Sequence, residues 1–154
     1  MRHPVETESP DQPDAQALAL QEALHILLPI RRQRLRRSEQ KQREQQQLLS
    51  QQNQSLVQGE QLALGQQQAW QQSQADFVEH HTGVLQPLNV LQLGIEQEQS
   101  CRLALVQQQL HNQQLVQQIE QQQENVHSAR QDVQRCQREV EKLEYLLEQQ
   151  GRMS

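Results

Sequence analysis

Ile119-Glu120-Gln121-Gln122-Gln123-Glu124-Asn125-Val126-His127-Ser128-Ala129-Arg130-Gln131-Asp132-Val133-Gln134-Arg135-Cys136-Gln137-Arg138-Glu139-Val140-Glu141-Lys142-Leu143-Glu144-Tyr145-Leu146-Leu147 is the stretch that decides the fold. Every seventh residue from Ile119 is apolar: Ile119, Val126, Val133, Val140 and Leu147. A second row, Gln122, Ala129, Cys136, Leu143 and Gln150, runs between them. Rows spaced by three and four lie on one face of an α-helix and form the seam of a coiled coil. Such a seam needs a partner helix. The upstream half supplies one, because Leu28, Leu35, Gln42, Leu49, Leu56, Ala63, Trp70 and Phe77 also recur every seven residues.

Composition supports a seam rather than a globular core. Glutamine occupies 39 of the 154 positions, and apolar residues make up only 34%. There is one Trp, one Tyr and one Phe. Glutamine bias also marks disordered tracts, but disorder does not require heptads in phase over eight turns. The net charge of −5 does not suggest a nucleic-acid binder. No run of about 20 apolar residues is present to span a membrane. The segment from Ala15 to Ile30 carries Gln21, Glu22 and His25 and follows no basic cluster, unlike a signal peptide. These features predict a cytoplasmic chain without direct membrane insertion.

Cys101 and Cys136 are five heptads apart. On one helix that separation is roughly 52 Å at 1.5 Å per residue, far beyond disulfide reach. Both read as small seam residues.

The order of features predicts an all-α fold, a long two-helix antiparallel coiled-coil hairpin. Residues 1–13, with Pro4, Pro10 and Pro13, read as a flexible N-terminal tail. Asp14 is placed to cap the first helix, spanning 14–80. Pro29 predicts a kink rather than a stop, because the heptad row passes from Leu28 to Leu35. Gly59 and Gly65 are points where this helix is expected to flex. His80-His81-Thr82-Gly83-Val84-Leu85-Gln86-Pro87-Leu88-Asn89 is the strong interior turn signal, with Gly83 as C-cap and Pro87 as restart. The second helix is expected over 88–150, before a short tail of residues 151–154. Leu103, Val106 and Leu110 fall off its main phase, which predicts a stutter near Gln107 to Asn112.

Folding back at residue 84 makes residues whose numbers sum to 168 face one another. Leu28 then meets Val140, Leu35 meets Val133 and Leu49 meets Ile119. Arg31, Arg32, Arg34, Arg36, Arg37, Lys41 and Arg43 hold half of all basic residues. The same register sets them alongside Asp132, Glu139, Glu141 and Glu144, favouring the antiparallel arrangement. No aromatic residues interleave the cluster for base stacking.

The sequence contains no phosphate loop, nucleophile elbow or zinc spacing, so no enzyme and no cofactor is expected. Glu79, His80 and His81 are adjacent and point in different directions on a helix, a poor start for a metal site.

Two stretches resemble the FliJ/YscO/SctO family, the stalk proteins of type III secretion. One is the Arg-rich Leu27-Leu28-Pro29-Ile30-Arg31-Arg32-Gln33-Arg34-Leu35-Arg36-Arg37-Ser38-Glu39. The other is the apolar and acidic Val140-Glu141-Lys142-Leu143-Glu144-Tyr145-Leu146-Leu147-Glu148. The length and central turn match as well, from about Asp14 to Gln150. Heavy glutamine content and Pro29 depart from a typical member, and the glutamine suggests the virulence branch (HrpO-like) over the flagellar one. The resemblance implies a non-catalytic rod at the base of the secretion apparatus. It would insert into the hexameric secretion ATPase and link it to the export gate protein. Arg31, Arg32, Arg34, Arg36, Arg37, Tyr145 and Leu146 are the candidate ATPase contacts. The alternative is a coiled-coil chaperone, escort or scaffold that binds other secretion proteins, secretion chaperones among them, through an exposed helical face. Some family members are themselves secreted, which makes the tail a candidate export signal.

Overall fold

The computed structural model describes residues 11–83 and 85–153. They form two helices, α1 (Asp11–His81) and α2 (Leu88–Met153), packed against each other as a helical hairpin without strands. The pairings run in opposite directions along the two helices, from Arg31 with Glu139 to Gln74 with Glu98, so the helices are antiparallel. The chain divides into two compact units. In one, α1 up to Gln46 packs with α2 from Asn125 onward; the other is Gln47–Glu124 and contains the turn.

In the first unit, the seam on α1 is Gln21, Leu24, Leu28, Arg31, Leu35, Ser38, Gln42 and Gln45, all buried or half-buried. The facing seam on α2 is Val126, Ala129, Val133, Cys136, Val140, Leu143, Leu147 and Gln150. Leu24, Leu28, Val126, Ala129, Val133 and Val140 are its buried apolar residues. Fully burying a Val or Leu side chain contributes about 1.5–3 kcal/mol. The steps alternate three and four without interruption, so the predicted heptad rows are the packed faces. Helix α1 continues through Pro29, whose ring lies on the exposed side while Leu28 faces the seam.

In the second unit the seam is more polar. Leu105, Leu115 and Ile119 are buried, and Gln122 is buried among them. Gln108 and Asn112 fill the layers between Leu105 and Leu115. The predicted stutter is therefore absent: half-buried polar residues carry the heptad through 107–112, and Leu103, Val106 and Leu110 lie outside. An apolar-only pattern misses this because the seam is filled by amides that are hydrogen-bonded. Gln108 Nε2 donates to Asn112 Oδ1 at 3.0 Å, and Asn112 Nδ2 donates to the Gly59 carbonyl at 3.0 Å. Gly59 is thus a close-contact position rather than a flexible one. A Cβ there would collide with Asn112 Oδ1 and come within 3.3 Å of Gln108 Nε2. Gly65 meets nothing within 4 Å and has no such role.

The register differs from the predicted one. Phe77 lies against Gly94 rather than Leu91, and Gly59 against Asn112. Both pairs sum to 171 instead of 168. The turn is the reason. Gly83 takes the left-handed C-cap conformation, φ 74°, and the backbone of α2 restarts with Val90 and Leu91 bonded to the Pro87 carbonyl. Because Leu85, Gln86 and Pro87 precede α2, the fold-back centre falls after residue 84. The Gln86 side chain fastens the turn, donating to the His80 carbonyl at 2.8 Å and meeting His81 Nδ1.

The helix ends also differ from expectation. α1 begins at Asp11, ahead of the predicted cap at Asp14, with Pro13 in the first turn, where its missing N–H costs nothing. α2 runs past Gly151 to Met153, and Arg152 pairs back to Glu148 at 2.8 Å. The tail expected before Asp11 lies outside the described residues.

Candidate functional site

The predicted contact residues lie in the first unit, and the structure separates them into two groups. Arg31 occupies a seam position, half-buried, with Nη1 3.2 Å from Glu139 Oε2. Arg32 pairs with Glu144 at 3.2 Å. These two arginines span the helices and hold the register. Each partly exposed pair contributes about 0–1 kcal/mol. Asp132, expected opposite the basic cluster, pairs with Arg135 on its own helix. Glu141 has no ion pair among the described residues.

Arg34, Arg36, Arg37 and Lys41 form the second group. All four are exposed and have no ion pair among the described residues. Arg43 donates to Gln40 on its own helix at 3.0 Å. Arg36, Arg37 and Lys41 line a shallow surface depression along α1, shared with Gln33, Gln40, Glu44 and Gln45.

Sequence reasoning missed how the free cations continue into apolar surface. Leu20, Ala23, Leu27, Ile30, Arg34, Arg37 and Lys41 succeed one another at steps of three and four, and all are exposed. They form one stripe beside the seam, apolar from Leu20 to Ile30 and cationic from Arg34 to Lys41. The signal was legible as a second heptad row parallel to the seam. The apolar residues from Leu18 to Ile30 had instead been read together as a buried face. In the structure Leu18, Leu20, Ile26, Leu27 and Ile30 are exposed, and only Leu24 and Leu28 are buried.

On α2, Tyr145 is 60% exposed, as an apolar anchor requires, whereas Leu146 is half-buried beside the seam. Tyr145 and the stripe are the parts of the predicted set free to meet a partner. The chemistry on offer is apolar contact combined with guanidinium recognition of carboxylates.

The second unit carries a groove of about 460 Å³ near the turn, lined by Asp76, Phe77, His80, His81, Gly94 and Cys101 among others. The Phe77 and His81 rings lie 4.5 Å apart. His80 Nδ1 is bonded to the Asp76 carbonyl at 2.7 Å. Among the described residues no group of three His, Cys, Asp or Glu is arranged to hold a metal ion. No described helix is long and apolar enough to cross a membrane. Comparison with protein-family models, curated proteins and solved structures finds no match to this chain.

Proposed function

We propose that this chain is a non-catalytic stalk of a type III secretion system, acting in the cytoplasm at the base of the apparatus. Its first unit enters the pore of the hexameric secretion ATPase, and the turn reaches towards the export gate protein. The observation that carries this reading is the exposed stripe from Leu20 to Lys41. A rod turning or seated inside a ring needs a firm internal seam and an independent outer face. Here Arg31 and Arg32 serve the seam, and Arg34, Arg37 and Lys41 are left for the ring. Acidic groups lining a pore would pair with these cations, while Leu27, Ile30 and Tyr145 supply apolar anchorage.

The turn end fits a second contact of different character. Leu85 and Leu88 are strongly exposed there. From Glu44 to Cys101 the chain has no Lys or Arg, while Asp76, Glu79, Glu96 and Glu98 lie towards the turn. An apolar tip with acidic surroundings suits a protein pocket with a basic rim better than an anionic lipid surface.

Co-purification of the intact chain with a hexameric secretion ATPase tests the proposal. Retention on the hexamer through gel filtration is expected. Elution of the chain apart from the hexamer, at concentrations of both well above micromolar, overturns it.

A further inference from the structure

The outer face of α2 in the second unit carries a row that the stalk reading does not use. Leu103, Val106 and Leu110 are 57%, 49% and 55% exposed. They follow one another at steps of three and four, as a helix-packing row does. They are the residues displaced outward because Leu105, Gln108 and Asn112 occupy the seam. Single exposed leucines need no explanation, but a contiguous row on one face does.

We propose that two copies of this chain associate antiparallel through this row, about a two-fold axis near Val106 and Gln107. The row is nearly palindromic. Reversing it about that point places Leu103 of one copy against Leu110 of the other, and Gln99 against Gln114. An isologous contact must be self-complementary, and charge decides whether this one is. From Leu103 to Ile119 the helix contains no Asp, Glu, Lys or Arg. A two-fold contact therefore brings no like charges together and leaves no ion unpaired. Glutamine side chains beside the row can donate to and accept from their copies across the axis. A partner recognised by charge would find no ionic group on this stretch to pair with. The first unit, where charges of both signs are dense, offers no comparable face.

The row is short. Its contact falls at the low end of specific interfaces, near about 1,000 Å² in total, so association is weak and concentration-dependent.

Sedimentation equilibrium of the intact chain, from low micromolar to several hundred micromolar, reads the effect directly. The wild type is expected to shift from monomer towards dimer, and to do so equally in molar sodium chloride, since no ion pair is involved. Replacing the row by Leu103→Gln, Val106→Gln and Leu110→Gln should weaken dimerisation by about tenfold or more. These positions are exposed and Gln suits helices, so the variant keeps its helical signal and melting temperature. A wild type that stays monomeric throughout leaves the row to a different protein and overturns the proposal. A triple variant that dimerises like the wild type, or association abolished by salt, also overturns it. Orientation is read in a chain with Cys101→Ala and Cys136→Ala. Oxidising a mixture of its Leu103→Cys and Leu110→Cys forms should give mainly mixed disulfides. Predominance of the Leu103→Cys homodimer indicates a parallel contact and contradicts the antiparallel axis.

Discussion

Asn112 donates a hydrogen bond from its side-chain Nδ2 to the backbone carbonyl of Gly59, 3.0 Å away on the opposite helix. A backbone carbonyl inside a helix is normally reached only by its own helix. Here the missing side chain of Gly59 lets α2 approach closely enough for Asn112 to reach it. Gln108 then satisfies Asn112 Oδ1. The polar layer of the second unit is built on this contact, and it fixes Gly59 against Asn112 and no other residue. A single polar seam residue that specifies register is a known use of buried amides.

The two glycines of α1 should respond to alanine in opposite ways. Gly59→Ala drives a methyl group into Asn112 and should destabilise by about 1–3 kcal/mol. Gly65→Ala meets open space and should stabilise by about 0.5–1 kcal/mol through helix propensity. Urea titration followed by circular dichroism distinguishes them. Equal responses would show that Gly59 is an ordinary helix glycine.

Gln66 is the seam position where an apolar residue should be better. Its Oε1 is buried without a hydrogen-bond partner, as are Gln52 Oε1 and Trp70 Nε1. An unsatisfied buried acceptor costs about 1–3 kcal/mol. Gln66→Leu should therefore raise stability by about 1 kcal/mol or more. A lower melting temperature would mean that the amide is satisfied in solution.

The register can be read with one added cysteine. The observed pairing places Leu35 level with native Cys136, where the sequence alone had placed it opposite Val133. Leu35→Cys should form a disulfide with Cys136 within one chain under mild oxidation, because facing seam positions bring the two within reach. Reduction should then restore the original gel mobility. Disulfides joining Leu35→Cys residues of separate chains would instead indicate parallel helices.

Much of this fold was legible because a heptad repeat is itself a geometric instruction. Leu28, Leu35, Val126, Val133 and Val140 recur at seven, and all face the seam. Gly83 and Pro87 marked the turn by backbone chemistry, and the φ of 74° at Gly83 is what a C-cap requires. What escaped was the role of amides. Gln108 and Asn112 look like surface residues until a partner helix lies opposite, so the apolar Leu103, Val106 and Leu110 suggested a phase change. The register escaped for a related reason, since three residues of turn precede α2 and no apolar pattern reports their length. In the candidate site the basic cluster was visible, but its division was not. Whether an arginine reaches Glu139 or faces water depends on its place in the heptad. Arg31 stands at a seam position, and Arg34, Arg37 and Lys41 stand beside it.

That division makes ATPase stimulation the most direct test of the stalk account. Arg34→Glu, Arg37→Glu and Lys41→Glu together remove the free cations and leave the Arg31 to Glu139 and Arg32 to Glu144 pairs intact. The variant should melt within a few degrees of the wild type, since exposed unpaired charges contribute little. It should nevertheless lose most stimulation of the hexameric ATPase, which the wild-type chain and an Arg31→Gln control retain. A folded triple variant that stimulates the hexamer as well as the wild type would contradict the account. The ring contact would then have to lie away from the stripe.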